Sequence, residues 1–159
     1  MKNIIEGAVG VVLALVLHTV LGKISVTLLI LFNAFSWVVL YFALSRHEVF
    51  GAIMGTVCGL LQDSLSLGVF GVGGLTKTLL GFSAGYISRK INVTPLNRTF
   101  VFALVMAAAE LFLWKTLVLF LFGERWNAAG GLIFVQPLMT ALSVTIVFQV
   151  RRKAEAGRA

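Results

Sequence analysis

The sequence predicts an all-α integral membrane bundle of six transmembrane helices. Composition is the first observation behind that prediction. Hydrophobic residues make up 59% of the chain and charged residues 12%, with a mean hydropathy of +1.01. Soluble domains hold about 45–50% apolar and ~25% charged residues. The second observation is arrangement. The apolar residues fall into runs of the length that crosses a hydrocarbon core, about 20 residues for ~30 Å. The 159 residues hold about six such runs with short connections, so 1–159 reads as a single six-span transmembrane domain. The net charge of +7 raises nucleic acid as a partner class. The positions of the charges exclude it, because most flank apolar runs, as topology determinants do. The single Cys58 forms no internal disulfide and gives no information on compartment.

The first span covers about 4–21. It follows Lys2 as a signal peptide would, but its apolar run exceeds a ~7–15-residue h-region and no A-x-A site follows. Gly10 and Ala14 put a small pair on one face, with His18 one turn on, read as a packed or interfacial residue. The second span, about 26–44, is aromatic. Trp37 and Tyr41 read either as interfacial anchors or as lipid-facing bulk. The third span, about 49–67, is purely apolar only to Leu61, which is short of a full crossing. The helix is therefore expected to continue through Asp63, with a glycine-rich outer turn, in preference to a re-entrant elbow over Gly68–Gly74. The fourth span covers about 71–88. The loop from Arg89 to Arg98 is the longest polar one, and Pro95 bends it. The fifth span, about 99–122, has a small face at Ala103, Ala107, Ala108 and Ala109. A loop over Gly123–Gly130 leads to the sixth span, about 131–150. Pro137 inside that span is expected to kink it. Arg151, Arg152 and Lys153 are expected to stop it, with a frayed tail from Ala154 to Ala159.

Gly51, Gly55 and Gly59 recur every fourth residue and share one helix face. Gly81 and Gly85 repeat the device on the next span. Such faces bring backbones close in membrane helices. Two uses stay open: the third and fourth spans pack on each other, or the stripes receive a partner's helix.

Four charges sit where hydrocarbon is expected: Asp63, Lys77, Glu110 and Lys115. An ionisable group there marks a functional site by default and costs about 2.5–3.5 kcal/mol when alone on the insertion scale. Asp63 lies ~22 Å, Lys77 ~18 Å, Glu110 ~18 Å and Lys115 ~25 Å from the same side by helical rise. Asp63 with Lys77 is one pairing that fits. Glu110 with Lys77 and Asp63 with Lys115 is another. A structural network that orients the bundle is the plain alternative to a functional one, and Lys115 has the further option of snorkelling outward.

Six spans put both termini on one side. That side collects nine cations, Lys2, Arg46, Arg89, Lys90, Arg98, Arg151, Arg152, Lys153 and Arg158. The other collects two, Lys23 and Arg125. The bias places both termini in the cytoplasm. Catalytic signatures fail. No HExxH or GxSxG occurs, and two histidines, His18 and His47, are too few for a metal cluster. Neither an enzyme nor a cofactor is expected. No internal repeat is visible, which weakens an inverted-repeat transporter.

Gly59-Leu60-Leu61-Gln62-Asp63 is followed by Gly71 eight residues after the acid. This segment resembles the signature of the rod shape-determining protein MreD family, roughly Gly-Leu-x-x-Asp, seven residues, Gly, then an apolar span. Length, span count and basic tail are similar too. Motif residues cover about 51–87, and Gly59, Leu60, Asp63 and Gly71 match by position. Lys77, Glu110 and Lys115 belong to no motif of that family. The resemblance implies a non-enzymatic scaffold of the bacterial inner membrane, binding MreC directly through its transmembrane helix and helping to position peptidoglycan synthesis. MreB, RodZ, RodA and a class B penicillin-binding protein are the wider partners it implies. It also implies a fold similar to the S components of energy-coupling-factor transporters. In this reading the glycine faces dock the partner's helix and Asp63 fixes its register. The competing reading is a solute-binding subunit of such a vitamin transporter. There Asp63, Lys77 and Glu110 line a pocket, and the Gly10 and Ala14 face packs on a coupling protein.

Overall fold

The computed structural model describes residues 2–66, 70–123 and 134–156, all of it helix and short connections among those residues. Seven helices follow one another: α1 Lys2–Ile24, α2 Val26–Leu31, α3 Ala34–Ser45, α4 Glu48–Leu65, α5 Val72–Lys90, α6 Leu96–Phe122 and α7 Gln136–Ala156. Among the described residues, three segments are long and apolar enough to cross a membrane, Ile4–Ile24, Val26–Ser45 and Leu96–Leu121. The expected count was six. The other three helices are diluted by polar residues: α4 by Glu48, Gln62 and Asp63, α5 by Lys77, Arg89 and Lys90 with four glycines, and α7 by its basic end.

The second span is not one continuous helix, as the sequence suggested. It breaks at Phe32 and Asn33 into α2 and α3. Asn33 caps α3, its Oδ1 accepting the Ser36 N–H at 3.2 Å. Asparagine competes for backbone donors in this way and favours caps over helix interiors. The break releases α3 into the centre of the bundle. Eight of its twelve residues are buried, and it touches α1, α4, α5 and α7. Its side chains Phe35, Val38, Val39 and Leu40 meet Ala14, Cys58, Ala84, Ala103, Ala141 and Val144 in the core. Small residues on the surrounding helices make room for the large ones on α3.

Pro137 also sits elsewhere than expected. It falls in the first turn of α7, where the N–H it lacks would have had no helical acceptor, so it starts the helix and does not kink it. The basic cluster does not stop α7, which runs through Arg151, Arg152 and Lys153 to Ala156. The loop 124–130, the residues 131–133 assigned to the sixth span, the elbow residues 67–69 and the tail 157–159 lie outside the described residues.

His18 is packed, its ring 5.1 Å from that of Phe35. The charged helix ends gather at one end of the bundle. Glu6 of α1 pairs with Arg46 after α3 and lies 3.7 Å from Arg151 of α7. Arg151 also donates to the Tyr41 hydroxyl. Glu48 pairs with Arg89 at 3.2 Å. Arg152 and Gln149 donate to the Thr94 carbonyl at 2.8 and 3.1 Å. These contacts place the ends of α1, α3, α4, α5 and α7 and the start of α6 on one side, the grouping that the cation count assumed.

A glycine seam, a capping carboxylate and a buried charge triangle

Helices α4 and α5 form an antiparallel hairpin whose backbones touch. Their glycine stripes face each other. A methyl group at Gly51 would overlap the Gly81 carbonyl, one at Gly55 the Lys77 carbonyl, and one at Gly59 the Gly73 carbonyl. The relation is reciprocal: a Cβ on Gly81 would strike Gly51, and one on Gly85 would lie 2.6 Å from the Glu48 Cα. Leu60 covers Gly74, its Cδ2 3.0 Å from where a Cβ would stand. Across the seam the hydroxyls of Thr56 and Thr78 share a hydrogen bond of 2.8 Å. The stripes are therefore filled by the chain itself. They are not a free face for a partner's helix, and the expectation that they dock one is corrected here. The periodicity was right; its complement is α5.

At the end of the seam stands Asp63. Its Oδ2 accepts the N–H of Gly71 at 2.8 Å and of Gly74 at 3.1 Å, and its Oδ1 accepts that of Gly73 at 3.2 Å. Those donors belong to the first turn of α5, which has no helical acceptors of its own. The carboxylate thus neither pairs with Lys77 or Lys115 nor fixes a partner's register; it caps α5 across the hairpin. Gly71 enters this turn at φ 98°, a left-handed conformation that glycine adopts without steric cost. A Cβ on Gly73 would run into the Asp63 carboxylate, so glycine there leaves room for the cap. Charge-assisted bonds to a helix start are strong.

One prediction follows directly. Asp63→Ala strands three donors in the hairpin, and we expect it to lower stability by about 2 kcal/mol. Asp63→Asn keeps one acceptor oxygen and should fall between the two. Thermal unfolding in detergent decides the matter. An unchanged midpoint in the alanine variant would remove the cap from the account.

Lys77 and Glu110 meet deep in the bundle and form an ion pair, with side chains 3% and 9% exposed. Ser36 of α3 completes the group. Its Oγ accepts from Lys77 Nζ at 2.9 Å and donates to Glu110 Oε1 at 2.7 Å. The result is a closed triangle from α3, α5 and α6. Of the pairings open in the sequence, Glu110 with Lys77 forms, while Asp63 pairs with neither Lys77 nor Lys115. Lys115 lies exposed on α6, its ammonium 4.5 Å from the centre of the Phe134 ring. Ser36 was missed, because a lone serine in an apolar run reads as small and tolerated. Its spacing from Asn33 was the available signal.

The triangle and the cap are satisfied within the chain. Among the described residues, Asp63 shares no hydrogen bond with Lys77 or Glu110 and is held by the backbone of α5 instead. The face bearing Gly10 and Ala14 is likewise occupied. A Cβ on Gly10 would overlap the Phe42 ring, and Ala14 is fully buried, so that face packs on α3 and not on a coupling protein. No group of His, Cys, Asp and Glu among the described residues could hold a metal ion. In comparisons with protein-family models, curated proteins and solved structures, nothing matches the chain.

Proposed function

We propose that the chain is a non-enzymatic, multi-pass scaffold of a bacterial inner membrane, acting in the cell-elongation machinery. In this reading it binds the single-span protein MreC and helps to position peptidoglycan synthesis for rod shape. The α4–α5 hairpin is the observation that carries the proposal. Gly59, Leu60, Asp63 and Gly71, the four residues of the resemblance, meet in one unit and each has a separate geometric task. Gly59 admits the α5 backbone, Leu60 covers Gly74, Asp63 caps α5, and Gly71 supplies the left-handed turn.

The charge triangle supports a scaffold over a catalyst. Its members bond to one another, and a buried ion pair of this kind serves specificity of arrangement more than net stability. Six crossings, with α2 and α3 sharing one, would put both termini on the cation-rich, cytoplasmic side. With the glycine seam filled, MreC would meet another face of the bundle, through apolar packing against its transmembrane helix.

The test is affinity purification of the tagged full chain from its native membrane in mild detergent, followed by mass spectrometry of the co-purifying proteins. The expected result is recovery of MreC with RodA and a class B penicillin-binding protein, and with MreB and RodZ at lower yield. Recovery of an ATPase pair and a coupling membrane subunit would overturn the proposal in favour of a transporter.

A further inference from the structure

By sequence, the cation-rich end carries nine cations against three acids, Glu6, Glu48 and Glu155. Glu6 is taken by Arg46 and Arg151, and Glu48 by Arg89. Asp63 and Glu110 are committed to the cap and the triangle. Among the described side chains, no carboxylate meets Lys90, Arg98 or Arg152. Lys90 lies over the Tyr86 ring at 4.4 Å, and Arg152 holds the Thr94 carbonyl at 2.8 Å. Arg98 reaches the Asn92 carbonyl only at 3.5 Å, which leaves most of its five N–H donors uncommitted.

Beside these cations the surface is concave. The α5–α6 connection and the first turns of α6 enclose an open groove of about 360 Å³, lined by Ile91, Val93, Asn97, Arg98, Val101 and Phe102. Four of its six lining residues are apolar. Ile91 and Val101 keep about half or more of their surface exposed, at 50% and 56%. Asn97 and Arg98 are adjacent and line the groove almost wholly with carbon, so the amide and guanidinium stand outside it, beside an apolar channel. The volume lies at the lower end of the range for ligand pockets, about 300–1,000 Å³. An apolar groove beside an arginine and an amide matches one ligand chemistry, an acyl chain joined to a phosphate.

We propose that this groove is a binding site for an anionic phospholipid of the cytoplasmic leaflet, with the phosphate at Arg98 and Asn97 and one acyl chain along Val93, Val101 and Phe102. Lys90 and Arg152 supply the surrounding positive field. Basic sites between helices on the cytoplasmic side recognise anionic headgroups in this manner. The assignment requires membrane insertion with this end in the cytoplasm, but not the elongation role. Its test counts lipids, whereas the test of the scaffold identifies proteins, so the two fail separately.

The experiment is native mass spectrometry of the full chain in mild detergent, titrated in parallel with palmitoyl-oleoyl phosphatidylglycerol and with the matching phosphatidylcholine. The wild type should hold the anionic lipid in excess, and Arg98→Gln should cut that excess about five-fold, the factor expected for one basic residue at the surface. Val101→Trp fills the groove without altering charge and should lower lipid occupancy as well. Lys23→Gln, at the opposite end, should leave it unchanged. Equal binding of the two lipids by the wild type, or an excess that survives both groove variants, would overturn the site. So would displacement of phosphatidylglycerol by inorganic phosphate, which would make the groove dispensable.

Discussion

Gly55→Leu should yield no stably folded protein, and Gly55→Ala should cost about 3 kcal/mol. The position tests the seam at its centre. A Cβ there would overlap the Lys77 carbonyl and stand 2.8 Å from the Thr78 nitrogen. Both are backbone atoms in the middle of a helix, so no rotamer change relieves the contact. Alanine gains about 1 kcal/mol over glycine in helix propensity, which is too small to offset that overlap. Separating α4 from α5 would also draw Asp63 away from Gly73 and Gly74. Gly22→Ala is the control, because the nearest atom to its Cβ would be 3.8 Å away in the Leu29 side chain. We expect that variant to match or slightly exceed the wild type. Unfolding midpoints of the three variants in one detergent check the ordering, and a Gly55→Ala midpoint at or above that of Gly22→Ala would refute it.

The second large effect concerns the triangle. Lys77→Met should destabilise by about 3–5 kcal/mol, because it leaves Glu110 buried and unpaired. Glu110→Met should cost a similar amount by stranding Lys77. The double variant should recover most of the loss, since two methionines remove both desolvated charges and fill similar space. A cycle of this kind measures the coupling directly. Ser36→Ala is the milder member, expected to cost about 1.5–3 kcal/mol for a hydrogen bond to a charged group. Additive losses in the double variant would mean that Lys77 and Glu110 do not act on each other.

Much of this was legible in residue spacing. The every-fourth glycines marked a face, and depth from the helix ends placed Lys77 and Glu110 at one level. What spacing cannot supply is the object opposite a face. The glycines of α4 could have met a foreign helix or α5, and only the tertiary register, Gly51 to Gly81 and Gly59 to Gly73, decides. Asp63 was misjudged for a related reason. Its depth suggested a cation partner, but the actual acceptor role depends on the left-handed turn at Gly71, which brings backbone donors to it. The break at Asn33 was hidden because its neighbours are apolar, so one polar residue did not interrupt the pattern. Pro137 was read as interior to a span, whereas α7 begins at Gln136 and the proline falls in its first turn.

The triangle joins residues that are far apart in the order of synthesis. Lys77 and Glu110 are 33 positions apart, and Ser36 precedes Lys77 by 41. A chain entering the membrane from its N-terminus delivers the hydroxyl first, the ammonium second and the carboxylate last. During that interval Lys77 has Ser36 but no counter-ion, while the α4–α5 seam and its Asp63 cap need nothing from α6. The hairpin can therefore close as soon as it is made, whereas its lysine is neutralised only when α6 arrives. Insertion is thereby given a direction. The arrival of Glu110 closes the core, and a chain halted before that residue keeps an unanswered charge that marks it as unfinished.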